Sequence, residues 1–137
     1  LAFGKEYWDW EEIERVAVKA AKEAGSLIRK KMGHPSTVAA KAPADYVTEV
    51  DSECEELLTG FIKASFPDHM IFSEETPFEG WKPGITWIID PLDGTTNFIH
   101  GFPMVSVSVA VAVDASPILG LVWDPLREEL FLARKGK

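Results

Sequence analysis

The hydrophobic period of this chain changes once, near Pro67, and that change limits the architectures it can adopt. Before it, Ile13, Val16, Ala17, Ala20, Ala21, Ala24, Leu27 and Ile28 recur at three- and four-residue steps, the buried stripe of an amphipathic helix over 10–32. Lys19, Lys22, Glu23, Arg29 and Lys30 take the opposite face. Gly33-His34-Pro35 stops the helix, Gly suiting a C-terminal cap and Pro being unable to continue it. A second helix over 52–65 aligns Cys54, Leu57, Leu58, Phe61 and Ile62, with Asp51 just ahead as acceptor for the free N–H groups of its first turn. Between the two, residues 34–47 are polar, Ala-rich and carry two prolines, which predicts a mobile loop.

After Pro67 the period is two. Residues 69–73, 86–90, 105–113, 118–123 and 129–133 read as strands. Turn signals at Asp114-Ala115-Ser116 and Asp124-Pro125 put the last three at hairpin spacing, so they pair antiparallel. Two helices ahead of several strands predict an α+β fold with the helices on one face of a largely antiparallel sheet.

Composition excludes several classes of function. With 137 residues, 46% of them hydrophobic, and five Trp and eight Phe, the chain fills one domain with a real core and is not disordered. Its net charge of −8 leaves no basic stripe for nucleic acid. The purest apolar run, 109–113, is far short of the ~20 residues of a membrane helix. One cysteine excludes an internal disulfide and agrees with a reducing, cytoplasmic setting. No signal peptide is read in residues 1–12; the chain starts at Leu1 rather than Met and stops at Lys137 without an evident ending, as expected of a piece of something longer.

The chemistry concentrates in Trp87-Ile88-Ile89-Asp90-Pro91-Leu92-Asp93-Gly94-Thr95-Thr96-Asn97-Phe98. An apolar strand delivers Asp90 to its end, Pro91 turns the chain, and Asp93 returns a second carboxylate. Gly94 permits close backbone approach to a ligand, and Thr95-Thr96-Asn97 open a short helix whose free N–H groups suit phosphate. Asp90-Pro91 or Asp93-Gly94 alone is a common turn former; the whole string is not. Paired carboxylates of this kind call for a hard cation, Mg²⁺ above all. Two further acidic clusters, Asp45-Tyr46-Val47-Thr48-Glu49-Val50-Asp51 and Phe72-Ser73-Glu74-Glu75-Thr76, stand at a loop-to-helix junction and a strand end. Asp51 could hold a hydroxyl through its second oxygen. An EF-hand is a poor match, since the alternating ligands and distal Glu are missing.

In order and spacing, DYVTEVD at 45–51, FSEET at 72–76 and WIIDPLDGTTNFIHGFP at 87–103 resemble the inositol monophosphatase family of Mg²⁺-dependent, lithium-sensitive phosphatases. The likeness runs over essentially the whole chain. It implies a layered αβαβα sandwich, usually a homodimer, built from a chain about twice this long. It also implies two or three Mg²⁺ per site, with Glu74, Asp90 and the Leu92 carbonyl on one ion and Asp90 and Asp93 on a second. Thr95, with Asp51 as its hydrogen-bond partner, and Glu74 would carry catalysis. Leu92, Asp93, Gly94 and Thr95 would bind substrate, the N–H groups of Gly94 and Thr95 holding the phosphate. The family's C-terminal half supplies a further Asp ligand and most contacts to substrate hydroxyls, for which no residue of this chain can be assigned.

The implied reaction is hydrolysis of a small phosphate monoester, first of all myo-inositol monophosphate, by metal-activated water. No Cys, Ser or His has a nucleophile's setting, so no phosphoenzyme is expected. The alternatives are a relative acting on another small ester, such as histidinol phosphate, or a non-catalytic metal-binding or dimerising fragment. Cys54 reads as a buried structural thiol, His34, His69 and His100 as surface or loop residues, and Trp87 as a brace for the acid-bearing strand. In the implied fold the apolar alternation over 105–123 faces the absent half. The 137 residues alone are therefore expected to be inactive and to associate.

Overall fold

Asp9 caps the first helix, α1 (Trp10–Lys31), accepting the Glu12 N–H at 3.1 Å, while Arg29, Lys30 and Lys31 occupy its last turn, where cations suit the helix dipole. Its inward stripe is small: Ala17, Ala20, Ala21 and Ala24 are fully buried. Gly25 continues it, because a Cβ there would stand 2.5 Å from the indole Nε1 of Trp123. The computed structural model describes residues 8–43, 45–74 and 76–137.

Residues 34–47 do not form the expected loop. Val38–Ala42 (β1) and Asp45–Thr48 (β2) make an antiparallel hairpin. Every residue of β1 is exposed, so no apolar alternation marks it. The second helix, α2 (Glu49–Ser65), also begins earlier than expected, and Asp51 is not its cap. Thr48 takes that place. Its Oγ1 accepts the N–H groups of Val50 and Asp51, and Asp51 Oδ2 accepts the Thr48 N–H at 2.8 Å, a reciprocal capping box.

The strands β3 (Met70–Ser73), β4 (Ile85–Asp93), β5 (Ser106–Val113), β6 (Ser116–Asp124) and β7 (Glu129–Arg134) form one sheet in sequence order. The β3–β4 pair is parallel and the others antiparallel. A short helix, α3 (Thr95–His100), links β4 to β5. Alternation along β5 buries Val107, Val109 and Val111, together with Trp87, Ile89, Leu119 and Leu121, in one core with the stripes of α1 and α2. The opposite face carries Ile88, Ser108, Ala110, Gly120, Val122 and Phe131 in register. The valines of 105–113 thus lie under the helices, contrary to expectation. What the other face exposes is small residues with Val122 and Phe131 among them.

Trp87 is fully buried, as a brace should be. Its indole N–H donates to His69 Nδ1 at 2.9 Å, and the His69 ring stacks on Phe66 with centroids 4.5 Å apart. His69 is therefore a half-buried packing residue rather than a surface one, and burial lowers its pKa. His34 and His100 are exposed. Cys54 is fully buried, its thiol aimed at the Ala24 carbonyl and pushed by burial up to about 12.

Candidate active site

The pairing of β4 with β5 slips by one residue between Asp90 and Asp93. Asp90 stands opposite Ser108 and Asp93 opposite Ser106, so three steps on β4 match two on β5. Without this bulge, residues three apart would face opposite sides of the sheet; with it, both carboxylates share the face of Ser106 and Ser108. Pro91, which has no N–H for the ladder, sits inside the bulge. Leu92 turns into the core, while its backbone N–H partly offsets the rise in the Asp90 pKa.

Gly94 then caps α3 at φ +96°, and a Cβ there would stand 2.7 Å from the Met104 carbonyl oxygen. Any other residue would be strained and obstructed. Thr95, the first residue of α3, donates its hydroxyl to Asp51 Oδ1 at 2.8 Å and approaches the Leu92 carbonyl oxygen at 3.5 Å. At the other end of α3, the Phe98 carbonyl accepts the Gly33 N–H at 2.9 Å, which ties α3 to the end of α1.

All seven residues singled out from the sequence line one cleft of about 240 Å³: Asp51, Glu74, Asp90, Leu92, Asp93, Gly94 and Thr95. Glu75 lies outside the described residues. The Asp90 carboxyl is pushed up to about 6, by burial first and then by the negative charges of Asp93, Glu74 and Asp51. Four acidic oxygen donors that repel one another are a donor set that a divalent hard cation would relieve, so the residues present fit Mg²⁺ chemically. Among the described residues, however, no three carboxylate, His or Cys side chains already stand at coordinating separation.

Three residues with a part in this geometry escaped the sequence reading. Lys41, on β1, reaches Glu74 with Nζ–Oε1 3.7 Å. Glu49 accepts the N–H groups of Ser36 and Thr37 at 2.7 and 3.0 Å and pairs with Lys31, anchoring the segment that leads into β1. Burial alone would raise its pKa, yet those N–H groups and Lys31 hold it down at about 2. Glu55, one turn beyond Asp51 on α2, accepts the Ser73 hydroxyl at 2.6 Å. The four-residue spacing of Asp51 and Glu55 was a signal for the last; the exposed hairpin gave none for Lys41.

The model of the inositol monophosphatase family matches residues 9–137. Inositol monophosphatase 1 of Solanum lycopersicum is 44% identical over 131 residues, covering 93% of this chain and 48% of that protein. The Nus factor SuhB of Escherichia coli strain K12 is 43% identical over 125 residues, covering 89% and 47%. Among solved structures, the Thermotoga maritima IMPase superposes with a TM-score of 0.85 at 35% identity, covering 92% of this chain and 49% of its own. The chain thus spans about half the length of the relatives it matches.

Proposed function

The chain belongs to the inositol monophosphatase family, and from that premise we propose that its acidic cleft serves Mg²⁺-dependent hydrolysis of a phosphate monoester, with myo-inositol monophosphate the first substrate to test. The observation that carries this is the Thr95–Asp51 hydrogen bond beside the bulge that aligns Asp90 with Asp93. Relatives at nearly equal identity bear names of different kinds, an inositol monophosphatase and a Nus factor, so the site chemistry weighs more than identity.

Glu74, Asp90, Asp93 and the Leu92 carbonyl would hold Mg²⁺. When bound, the ion neutralises the ring of acids and polarises the phosphoryl oxygens. Asp51 takes the Thr95 proton in its hydrogen bond, which leaves the Thr95 oxygen lone pairs free to accept from a water and orient it. Glu74, across the cleft, would take part in directing that water. The Asp93-Gly94-Thr95 turn would receive the phosphate through its N–H groups. Water adds to phosphorus, the ester P–O bond breaks, and the alcohol leaves with a proton. A homodimer, a cytoplasmic setting and lithium sensitivity belong to the same proposal; among the described residues no helix is long and apolar enough to cross a membrane.

A second reading, a metal-binding or dimerising module without turnover, is supported by the chain's span of about half the length of the relatives it matches. Phosphate release from inositol 1-phosphate with Mg²⁺, with and without millimolar LiCl against a KCl control, decides between them. Turnover that Asp90→Asn abolishes supports the enzyme; Mg²⁺ binding without turnover supports the module.

A further inference from the structure

We propose that Glu55 is a positioning residue that holds the Glu74-bearing turn in place through Ser73. The inference rests on the assignment of Glu74 to the metal cluster made above.

Ser73 is the last residue of β3 and only 1% exposed. Its hydroxyl donates to Glu55 Oε1 at 2.6 Å, the short separation of a charge-assisted bond. A hydroxyl has one proton. The 3.0 Å contact between Ser73 Oγ and Thr76 Oγ1 must then have Thr76 as donor. The Thr76 N–H also donates to the Ser73 carbonyl at 3.0 Å, closing the turn 73–76. Ser73 thus binds one side chain of α2 and, through its hydroxyl and its carbonyl, Thr76 at the far end of the turn that presents Glu74. In the parallel β3–β4 ladder Ser73 stands opposite Ile89, one residue before Asp90, so this turn leaves the sheet beside the acid-bearing strand end.

The partner helix makes the arrangement more than a local bond. Asp51 and Glu55 are four residues apart on α2 and so lie on one helical face. Asp51 holds Thr95 and Glu55 holds Ser73, so a single turn of α2 sets the separation between the two sides of the cleft. Among the described residues Glu55 forms no ion pair, which leaves Ser73 to fix its carboxylate.

The test uses the 137-residue chain, ¹⁵N-labelled, as wild type, Glu55→Gln, Glu55→Ala, Ser73→Ala and the Glu55→Ala/Ser73→Ala double variant. Backbone order parameters report on the turn, and calorimetric Mn²⁺ titration reports on the cluster. Gln keeps an oxygen acceptor, so Glu55→Gln should match wild type, with order parameters of about 0.85 at Glu74 and Thr76. Glu55→Ala and Ser73→Ala should each lower those values towards about 0.6, leave Thr95 unchanged, and raise the Mn²⁺ Kd about tenfold. The double variant should be no worse than either single, because both break one link. An ordered turn in Glu55→Ala overturns the inference. So does a Gln variant as damaged as Ala, which would mean that charge and not the hydrogen bond matters. If wild type binds no Mn²⁺, the metal assignment fails, and the order parameters alone still decide whether Glu55 positions the turn.

Discussion

Asp51 uses both carboxylate oxygens at once: Oδ2 accepts the Thr48 N–H at the start of α2, and Oδ1 accepts the Thr95 hydroxyl at the start of α3, 44 residues away. One side chain therefore completes the capping box that Thr48 begins and locks that helix entry to the opposite wall of the cleft. Removing it should hurt folding and chemistry together, whereas removing the Thr95 hydroxyl should separate them. Thr95→Ala is expected to cost about 0.5–1.5 kcal/mol in denaturant melts, the usual net value of one hydrogen bond. If the chain turns over substrate, kcat should fall about 10²–10⁴-fold with KM little changed, as when an acid–base element is lost. A kcat near wild type would reduce Thr95 to a capping role.

Burial first, and then the charges of three other carboxylates, raise the pKa of Asp90, so its charged form is disfavoured by the fold without a cation. Asp90→Asn should raise the melting temperature in EDTA at pH 7. It should also weaken Mg²⁺ or Mn²⁺ binding by more than the roughly tenfold that loss of an outer-shell partner costs, because Asp90 is assigned as a direct ligand. These opposite signs mark a residue kept for a cation rather than for stability. Equal metal affinities in the two proteins would remove Asp90 from the ligand set.

Glu49 behaves in the reverse sense. Its carboxyl lies at about 2 in the fold, below the ordinary value of 4.5, so the stabilisation is fully present above about pH 4.5. It is lost progressively as pH falls from there towards 2. Glu49→Gln should flatten that limb of a stability-versus-pH curve measured by urea melts. It should also free the segment ahead of β1, raising amide exchange at Ser36 and Thr37, whose N–H groups it accepts. Parallel curves for the two proteins would show that the anchor is neutral.

How much could be read in advance follows from where the signal lies. α1, α2 and the five-stranded sheet bury an apolar face, and burial writes a period into the sequence. In the hairpin β1–β2 every residue of β1 is exposed and only Thr48 of β2 is fully buried, so no apolar alternation marked it. Thr48 was hidden by its neighbour: Asp51 has the composition of a cap, and only the distance of three residues back to Thr48 marks the reciprocal box. The acidic string was legible because Pro91, Gly94 and two carboxylates each demand a special backbone. The one-residue bulge that aligns Asp90 with Asp93 depends on β5, far along the chain, and no local pattern announces it. His69 read as surface or loop because its partner, Trp87, arrives from β4, and Glu55 was passed over because its partner, Ser73, arrives from β3.

The β5–β6 turn offers a test of backbone strain. Asp114 and Ala115 both have positive φ, +48° and +71°, as a two-residue hairpin loop requires. Asp114 recovers part of the cost by accepting the Gly84 N–H at 2.8 Å; Ala115 has only its Cβ in the wrong place. Ala115→Gly should stabilise by about 0.5–1 kcal/mol, since left-handed strain of about 1–2 kcal/mol outweighs the extra entropy of glycine in the unfolded chain. Thermal melts check the sign; a lower melting temperature would mean that the turn tolerates alanine without strain.

The last prediction concerns the chain as a solution species. β7 pairs on one side with β6 and is the terminal strand of the described sheet. Leu130, Phe131 and Leu132 along it are exposed, Phe131 at 59%, and Val122 beside Phe131 is exposed as well. Met104, Val122 and Phe131 line one hollow that reaches Asp93, Gly94 and Asn97, so this apolar surface runs up to the edge of the acidic cleft. An edge strand with open hydrogen-bonding groups and apolar side chains recruits other chains, and a charge on it blocks that pairing. The 137-residue chain should therefore run above monomer mass in size-exclusion chromatography with light scattering, increasingly so with concentration. Phe131→Lys should return it to monomer with little change in melting temperature, because Phe131 contributes little buried area. It should not create phosphatase activity if turnover needs ligands from outside these residues. A wild-type monomer at every concentration would show that the edge is already protected. Turnover of inositol 1-phosphate by that monomer would place the complete site within these 137 residues.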